Sequence, residues 1–159
     1  MTNGKVRSWE DAIRWRGSQS GPVVFTNGVF DLLHVGHVAV LEQARACGSA
    51  LVVGINTDAS VRRLGKGPDR PLVPEQERAR VLAALGSVEC VVLFDEDTPL
   101  ALIRALKPDV LVKGADYEPA QIVGAADVEG WGGRVVRVPL VPNRSTTNLL
   151  RHLRGGMPE

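Results

Sequence analysis

The chain has 159 residues, 44% of them hydrophobic, with 19 basic against 18 acidic side chains. That is enough apolar material for one compact domain with its own core, and no second domain need be invoked. A net charge of +1, with no basic run longer than Arg62-Arg63, gives bulk attraction to nucleic acid or to a membrane surface no electrostatic support.

Residues 8–17 are expected to form a helix. Ser8 with Asp11 three positions on makes an acidic variant of the capping box, and Trp9, Ala12, Ile13 and Arg16 share a face. We read residues 1–20 as a lead-in helix covering the domain, 21–154 as the domain itself and 155–159 as a flexible tail. Residues 23–26 are the first strand, too apolar to alternate, as a strand buried on both faces of a parallel sheet should be. Asn27-Gly28 then reads as a turn, and His34 and His37 open an apolar periodic segment that runs to the helix stop at Cys47-Gly48. Residues 51–55 are the second strand, 57–64 a short helix, 65–71 a glycine- and proline-rich loop, and 74–85 a helix begun by a proline. A strand at 88–94, a helix at 98–106 and a strand at 110–112 follow. A short helix at 122–131, a fifth strand at 134–138 and a last helix at 146–154 complete the pattern. Strands alternating with helices predict an α/β, Rossmann-like fold: a doubly wound, open, parallel five-stranded sheet with helices on both faces.

The two cysteines, Cys47 and Cys90, lie far apart on apolar segments with no CxxC spacing. Buried free thiols in a reducing compartment are therefore expected rather than a disulfide or a zinc site. No apolar stretch reaches membrane-spanning length and the first five residues lead into no signal-like region, so the expected location is cytoplasmic.

In a doubly wound sheet, ligands bind beyond the carboxyl ends of the strands. His34 and His37 follow the first strand, Asn56 and Asp58 the second, Lys113, Gly114 and Asp116 the fourth, and residues 144–147 the fifth. The unusual polar residues thus gather on one edge. Both imidazoles fall in the first turn of a helix, beside unpaired N–H groups and the positive end of the dipole, where a phosphate is welcome. Two histidines three apart on a helix are ordinarily a solvated face. Here, however, two of the chain's three histidines directly follow a glycine turn after a buried strand, whereas His152 has no such setting. A metal site built from Asp31, His34 and His37 lacks an obvious remaining ligand, so no metal-binding residue is assigned.

The run Gly28-Val29-Phe30-Asp31-Leu32-Leu33-His34-Val35-Gly36-His37 resembles the HxGH signature of the nucleotidylyltransferase superfamily that includes the cytidylyltransferases. The other segments are similar to one branch of it, the ADP-heptose synthase adenylyltransferases, also found as the C-terminal half of bifunctional heptose kinase/adenylyltransferases. The likeness covers nearly the whole chain, with its motifs in the expected order. It implies transfer of AMP from ATP to D-glycero-β-D-manno-heptose 1-phosphate, giving ADP-heptose and pyrophosphate, with Mg²⁺ on the triphosphate. By resemblance His34 and His37 contact the α- and β-phosphates, and Gly36 keeps the turn small enough for their approach. Lys66, between Gly65 and Gly67, is the lysine of a lid that closes over the triphosphate. Arg62, Arg63 and Arg70 are weaker candidates for the same anion.

Thr26, Asn27, Gly28 and Phe30 are expected around the nucleotide. The run Asn143-Arg144-Ser145-Thr146-Thr147 resembles the second signature, a helix start holding the β- and γ-phosphates. Lys113-Gly114-Ala115-Asp116-Tyr117 resembles the branch's Lys-Gly-Gly-Asp-Tyr, which lies against nucleotide and acceptor. Asp31, Asn56 and Asp116 are assigned to the substrate, although Asp31 can also hold its own loop through neighbouring N–H groups. Val29 stands where the branch usually has a cysteine, and Ala115 replaces a glycine. The expected partner is a small sugar phosphate, with no nucleic acid and no membrane, and a homodimer is common among such proteins. Two other readings stay open: a CTP-dependent cytidylyltransferase acting on a polyol or amino-alcohol phosphate, and a nucleotide-binding regulatory module without catalysis.

Overall fold

The computed structural model describes residues 4–142 and 144–155. Asn143 and, beyond Gly155, the expected tail lie outside the described residues. The elements in chain order are β1 (Val6–Arg7), α1 (Trp9–Gly17), β2 (Val23–Gly28), α2 (Val35–Arg45), β3 (Ala50–Asn56), α3 (Asp58–Arg63) and α4 (Glu75–Ala83). Then come β4 (Cys90–Phe94), α5 (Leu100–Leu106), β5 (Val110–Gly114), a 3-10 turn (Pro119–Gln121), α6 (Ala125–Gly130), β6 (Arg134–Val138) and α7 (Thr146–Leu153).

The strands form one parallel sheet in the order β1-β4-β3-β2-β5-β6. It has six strands where five were expected. The additional strand, β1, is two residues long and pairs Val6 with Val91 and Arg7 with Val92 at the edge. Two residues carry no periodic signal, so this stretch read only as the approach to α1. The remaining strands occupy the expected stretches. Residues 27 and 28 are a correction: they are not a turn but the last rungs of β2, opposite Gly54 and Ile55, and the chain turns instead at Phe30, whose φ is 52°. The helix expected at 122–131 shortens to α6 because Gly124, at φ 86°, separates it from the 3-10 turn.

Strand residues alternate between two cores, which is why helices are needed on both faces. Val24, Leu51, Val53, Ile55, Val91 and Val112 pack with Leu41 of α2 and Leu82 of α4 on one side. Phe25, Val52, Val92 and Leu111 pack with Ala12 of α1, Leu102 and Ile103 of α5 and Val128 of α6 on the other. Fully burying a side chain of this class is worth about 1.5–3 kcal/mol, so these two layers hold the sheet edge rigid beneath the site. Ser8 caps α1 as its sequence suggested, accepting from the Asp11 amide at 3.1 Å. By contrast α7 buries none of its residues. Chain order reverses at β2, which has β3 on one side and β5 on the other. The crevice outside that point is where a ligand is expected.

Candidate active site

A cleft of about 720 Å³ opens at the reversal point, beyond the carboxyl ends of β2 and β5. Every residue assigned to the site in the sequence lines it except Asn56. Asn56 is buried, its Nδ2 donating to Ser60 Oγ at 3.0 Å.

The two histidines are tied to the start of α2 by a reciprocal pair of hydrogen bonds. His34 is the N-cap, its Nδ1 accepting from the Gly36 amide at 3.1 Å, while His37 Nδ1 accepts from the His34 amide at 3.2 Å. A backbone N–H only donates, so each Nδ1 has to offer a lone pair and each neutral ring carries its proton on Nε2. The rings stack at 3.8 Å between centroids, and both line the cleft. Each imidazole thus keeps one donor, Nε2–H, for whatever anion enters. Burial, and next the charge of Arg144, lower the pKa of His34; burial, and next His34, lower that of His37 to about 4. Protonating either ring would remove the acceptor that caps the helix.

The sign of the resulting pH effect follows from linkage. Between about 4 and 6.5 the unfolded chain binds a proton at residue 37 and the folded chain does not, so stability is lost as the pH is lowered through that window. The thermal stability of the wild type relative to His37→Gln should therefore be constant above about pH 6.5, decline toward pH 4 and level off below. A flat difference across that range would show that His37 titrates normally.

The packing of the protein itself also calls for a glycine at position 36. A Cβ there would stand 2.8 Å from His34 Cε1 and 3.3 Å from Arg144 Cβ, so its bareness lets the His34 ring fold back onto the helix start beside Arg144. Phe30 packs its ring on His37 at 5.1 Å. A bulky residue at positive φ is strained, and the turn holding it is clamped from below by Asp31. The buried Asp31 carboxylate accepts from Arg70 Nε at 2.6 Å and from the Leu72 and Val73 amides at 2.9 Å. Its contacts within the chain are those of a loop anchor, binding the histidine turn to residues 70–73.

Lys66 reaches the cleft from a loop whose flanking glycines, Gly65 at φ 69° and Gly67 at φ 119°, adopt backbone conformations unsuited to other residues. Its pKa is lowered, first by burial and then by the charge of Arg70. Of the three arginines nearby only Arg70 lines the cleft; Arg63 is turned to Asp97 at 2.8 Å.

On the β5 side, Lys113 Nζ lies 3.5 Å from the Asn27 carbonyl oxygen and 5.1 Å from the Tyr117 ring centroid. Burial brings its pKa down to about 8, against the opposing pull of Asp116, so the ammonium form still prevails at pH 7. Ala115 is not among the residues at positive φ, and its amide donates to Val138 at 2.8 Å. The alanine therefore fits without strain where the resembled motif has glycine. Thr26 hydroxyl, facing the floor, donates to the Val112 carbonyl at 2.9 Å.

Another wall is the start of α7. Ser145 caps it, its Oγ accepting from the Asn148 amide at 3.1 Å, and Thr146 Oγ1 donates to the Leu32 carbonyl at 3.3 Å. Arg144, Ser145, Thr146 and Thr147 thus line the cleft directly beside the histidine turn. Val40, Leu140, Val141 and Pro142 add an apolar wall that had no motif to announce it. Residue 78 was missed as well. The Arg78 guanidinium, fully buried, donates to the carbonyls of Val73, Val29 and Asn56 at 2.8–2.9 Å and pairs with Asp58 at 2.7 Å. An arginine inside an otherwise apolar helical stripe was the available signal.

Residues 25–148 match the family model described as cytidylyltransferase-like. The chain belongs to the cytidylyltransferase-like family. The matched span runs from β2, which leads into the histidine turn, to the first turn of α7, so it encloses the whole cleft. The chain is 58% identical over 153 residues to "Bifunctional protein HldE" of Magnetococcus marinus, covering 94% of this chain and 31% of that protein. It is 59% identical over 139 residues to the protein of the same name from Methylobacillus flagellatus, covering 87% and 28%. The chain thus spans less than a third of the length of these relatives. Among solved structures, the lipopolysaccharide core biosynthesis protein from Thermoplasma volcanium superposes with a TM-score of 0.64 at 27% identity, over 77% of this chain and 98% of that one. Among the described residues, no helix is long and apolar enough to cross a membrane.

Proposed function

We propose that this domain transfers the adenylyl group of ATP to a heptose 1-phosphate. An oxygen of the sugar phosphate attacks the α-phosphorus in line, the bond to the bridging oxygen breaks, and pyrophosphate leaves with its electron pair. No protein nucleophile is required, so the protein's work is positioning and neutralisation of charge. The observation that carries this reading is the neutral, stacked imidazole pair with two leftover Nε2–H donors, lining one cleft with the capped start of α7. His34 and His37 serve the α- and β-phosphates, and Gly36 and Phe30 fix their rings. Arg144, Ser145, Thr146 and Thr147 hold the outer phosphates, and Lys66 closes on them. Lys113, Gly114 and Asp116 face the acceptor, while Thr26, Asn27 and Gly28 form the floor beneath the nucleotide. Asp31 and Asn56 act from behind as anchors.

The high identity to the HldE proteins supports the choice of ATP and a heptose phosphate, as does the likeness to a structure named for lipopolysaccharide core biosynthesis. Among the described residues no three metal-ligating side chains converge. Mg²⁺, which the resemblance places on the triphosphate, enters in this reading as the magnesium–ATP complex, part of the substrate. Residues 21–154 are the catalytic domain in this reading, which also takes over from the resemblance a cytoplasmic location and a homodimer.

With Mg²⁺, ATP and D-glycero-β-D-manno-heptose 1-phosphate, the protein should release pyrophosphate and form ADP-heptose. Among ATP, CTP and GTP, each with Mg²⁺, ATP should raise the melting temperature most, since binding the folded state alone stabilises it by mass action. Turnover on CTP with a polyol phosphate, or binding of nucleotides with no turnover on any acceptor, would overturn the assignment.

A further inference from the structure

Among the described residues, six charged ones line the cleft: the cations Lys66, Arg70, Lys113 and Arg144 against the carboxylates Asp31 and Asp116. Among these four cations Arg70 is the buried one, its side chain 8% exposed, yet it still lines the cavity. Its backbone is held by a hydrogen bond to the Gly67 carbonyl at 3.3 Å and its side chain by Nε on Asp31 at 2.6 Å. That single contact uses one of the five guanidinium N–H donors. Nη1 and Nη2 have no hydrogen-bond partner among the described residues.

Neutralising Asp31 does not account for this arrangement. The Asp31 carboxylate receives the Leu72 and Val73 amides, and its charge is met through Nε alone, which leaves the Nη end of the guanidinium over. Arg70 lines the cleft, and its Nη1 and Nη2 are not among the side-chain atoms sealed from solvent without a partner, so the fork opens toward the cavity, where an entering anion can meet it. The unspent end of a guanidinium matches two oxygens of a phosphoryl group. Its neighbour Lys66 sits between two glycines and is built to move; Arg70 is fixed before ligand arrives.

We propose that Arg70 is a phosphate-binding residue, presenting Nη1 and Nη2 to a phosphoryl group of one substrate while Nε stays on Asp31. The proposal rests on the reading of the cleft as a phosphate site. The phosphoryl group comes either from the triphosphate or from the sugar 1-phosphate, and the two sources are separable. Calorimetric titration with inorganic tripolyphosphate and with mannose 1-phosphate, on the wild type, Arg70→Gln and Arg70→Lys, tests it well below the melting temperature of each. Arg70→Gln should weaken one of the two probes by at least about tenfold, with Arg70→Lys between it and the wild type. The probe affected identifies the source.

A residue that only supports Asp31 would lower the melting temperature and leave both affinities unchanged, and that result overturns the proposal. Failure of the wild type to bind either probe would instead overturn the reading of the cleft as a phosphate site, and Arg70's role with it. The assay needs no turnover, so an inactive but phosphate-binding protein would remove the proposed reaction and leave Arg70 standing.

Discussion

Arg78→Met should cost about 3–5 kcal/mol of folding stability, the range for breaking a buried ion pair by deleting one partner, read as a lower denaturation midpoint in guanidinium. Two effects compete. Methionine fills much of the volume and removes a buried charge, which by itself can be neutral or favourable. Against that, three carbonyls lose their donor, and each buried polar group left unpaired costs about 1–3 kcal/mol. Asp58, whose side chain is 23% exposed, regains water and contributes less. The carbonyls decide the sign, because those of Val29, Asn56 and Val73 belong to three different segments that cannot turn toward solvent together. With total stability near 5–15 kcal/mol in ordinary domains, the loss is a large fraction. Arg78→Lys should recover less than half of it, since one ammonium cannot span the fork's contacts. A change below about 1 kcal/mol in the methionine variant would mean that the carbonyls find other donors.

Arg78 and Arg70 mark the limit of what the sequence discloses. The strands were legible because an apolar run bounded by glycine and proline has few other homes, and the histidine motif because it stands where such a strand meets a helix. The gathering of polar residues on one edge followed from topology alone. Which cation meets which carboxylate did not. Arg70 and Asp31 are separated by 39 positions, and nothing local distinguishes Arg70 from Arg62 or Arg63. Asp31 can be read from sequence as a loop anchor in kind, but its partners are expected among its neighbours and lie on residues 70–73, far along the chain. The two-residue β1 was invisible for want of a period. The histidine capping box escaped because capping is sought among serine, threonine, aspartate and asparagine, and imidazole Nδ1 does the same work here.

That capping role sharpens the test of catalysis. His34→Ala should lower turnover by at least about 10²-fold, the usual cost of losing one preorganised donor to a developing charge, and should also destabilise the protein by about 1 kcal/mol through loss of the N-cap. The two losses need separating, since a frayed α2 would misplace His37 and depress turnover without any contact between His34 and phosphate. His34→Ser does so. Serine is a good N-cap and can accept from the Gly36 amide, but its hydroxyl is too short to replace Nε2–H at the far side of the ring. The serine variant should therefore regain most of the melting temperature while its turnover stays near that of alanine. Recovery of turnover together with stability would assign His34 to the helix and leave the phosphate to His37. Turnover lost in both variants, with stability restored in one, places the donor of residue 34 in the reaction. The imidazole is then selected twice at one position, by Nδ1 for the fold and by Nε2 for the chemistry, a demand that neither serine nor lysine meets.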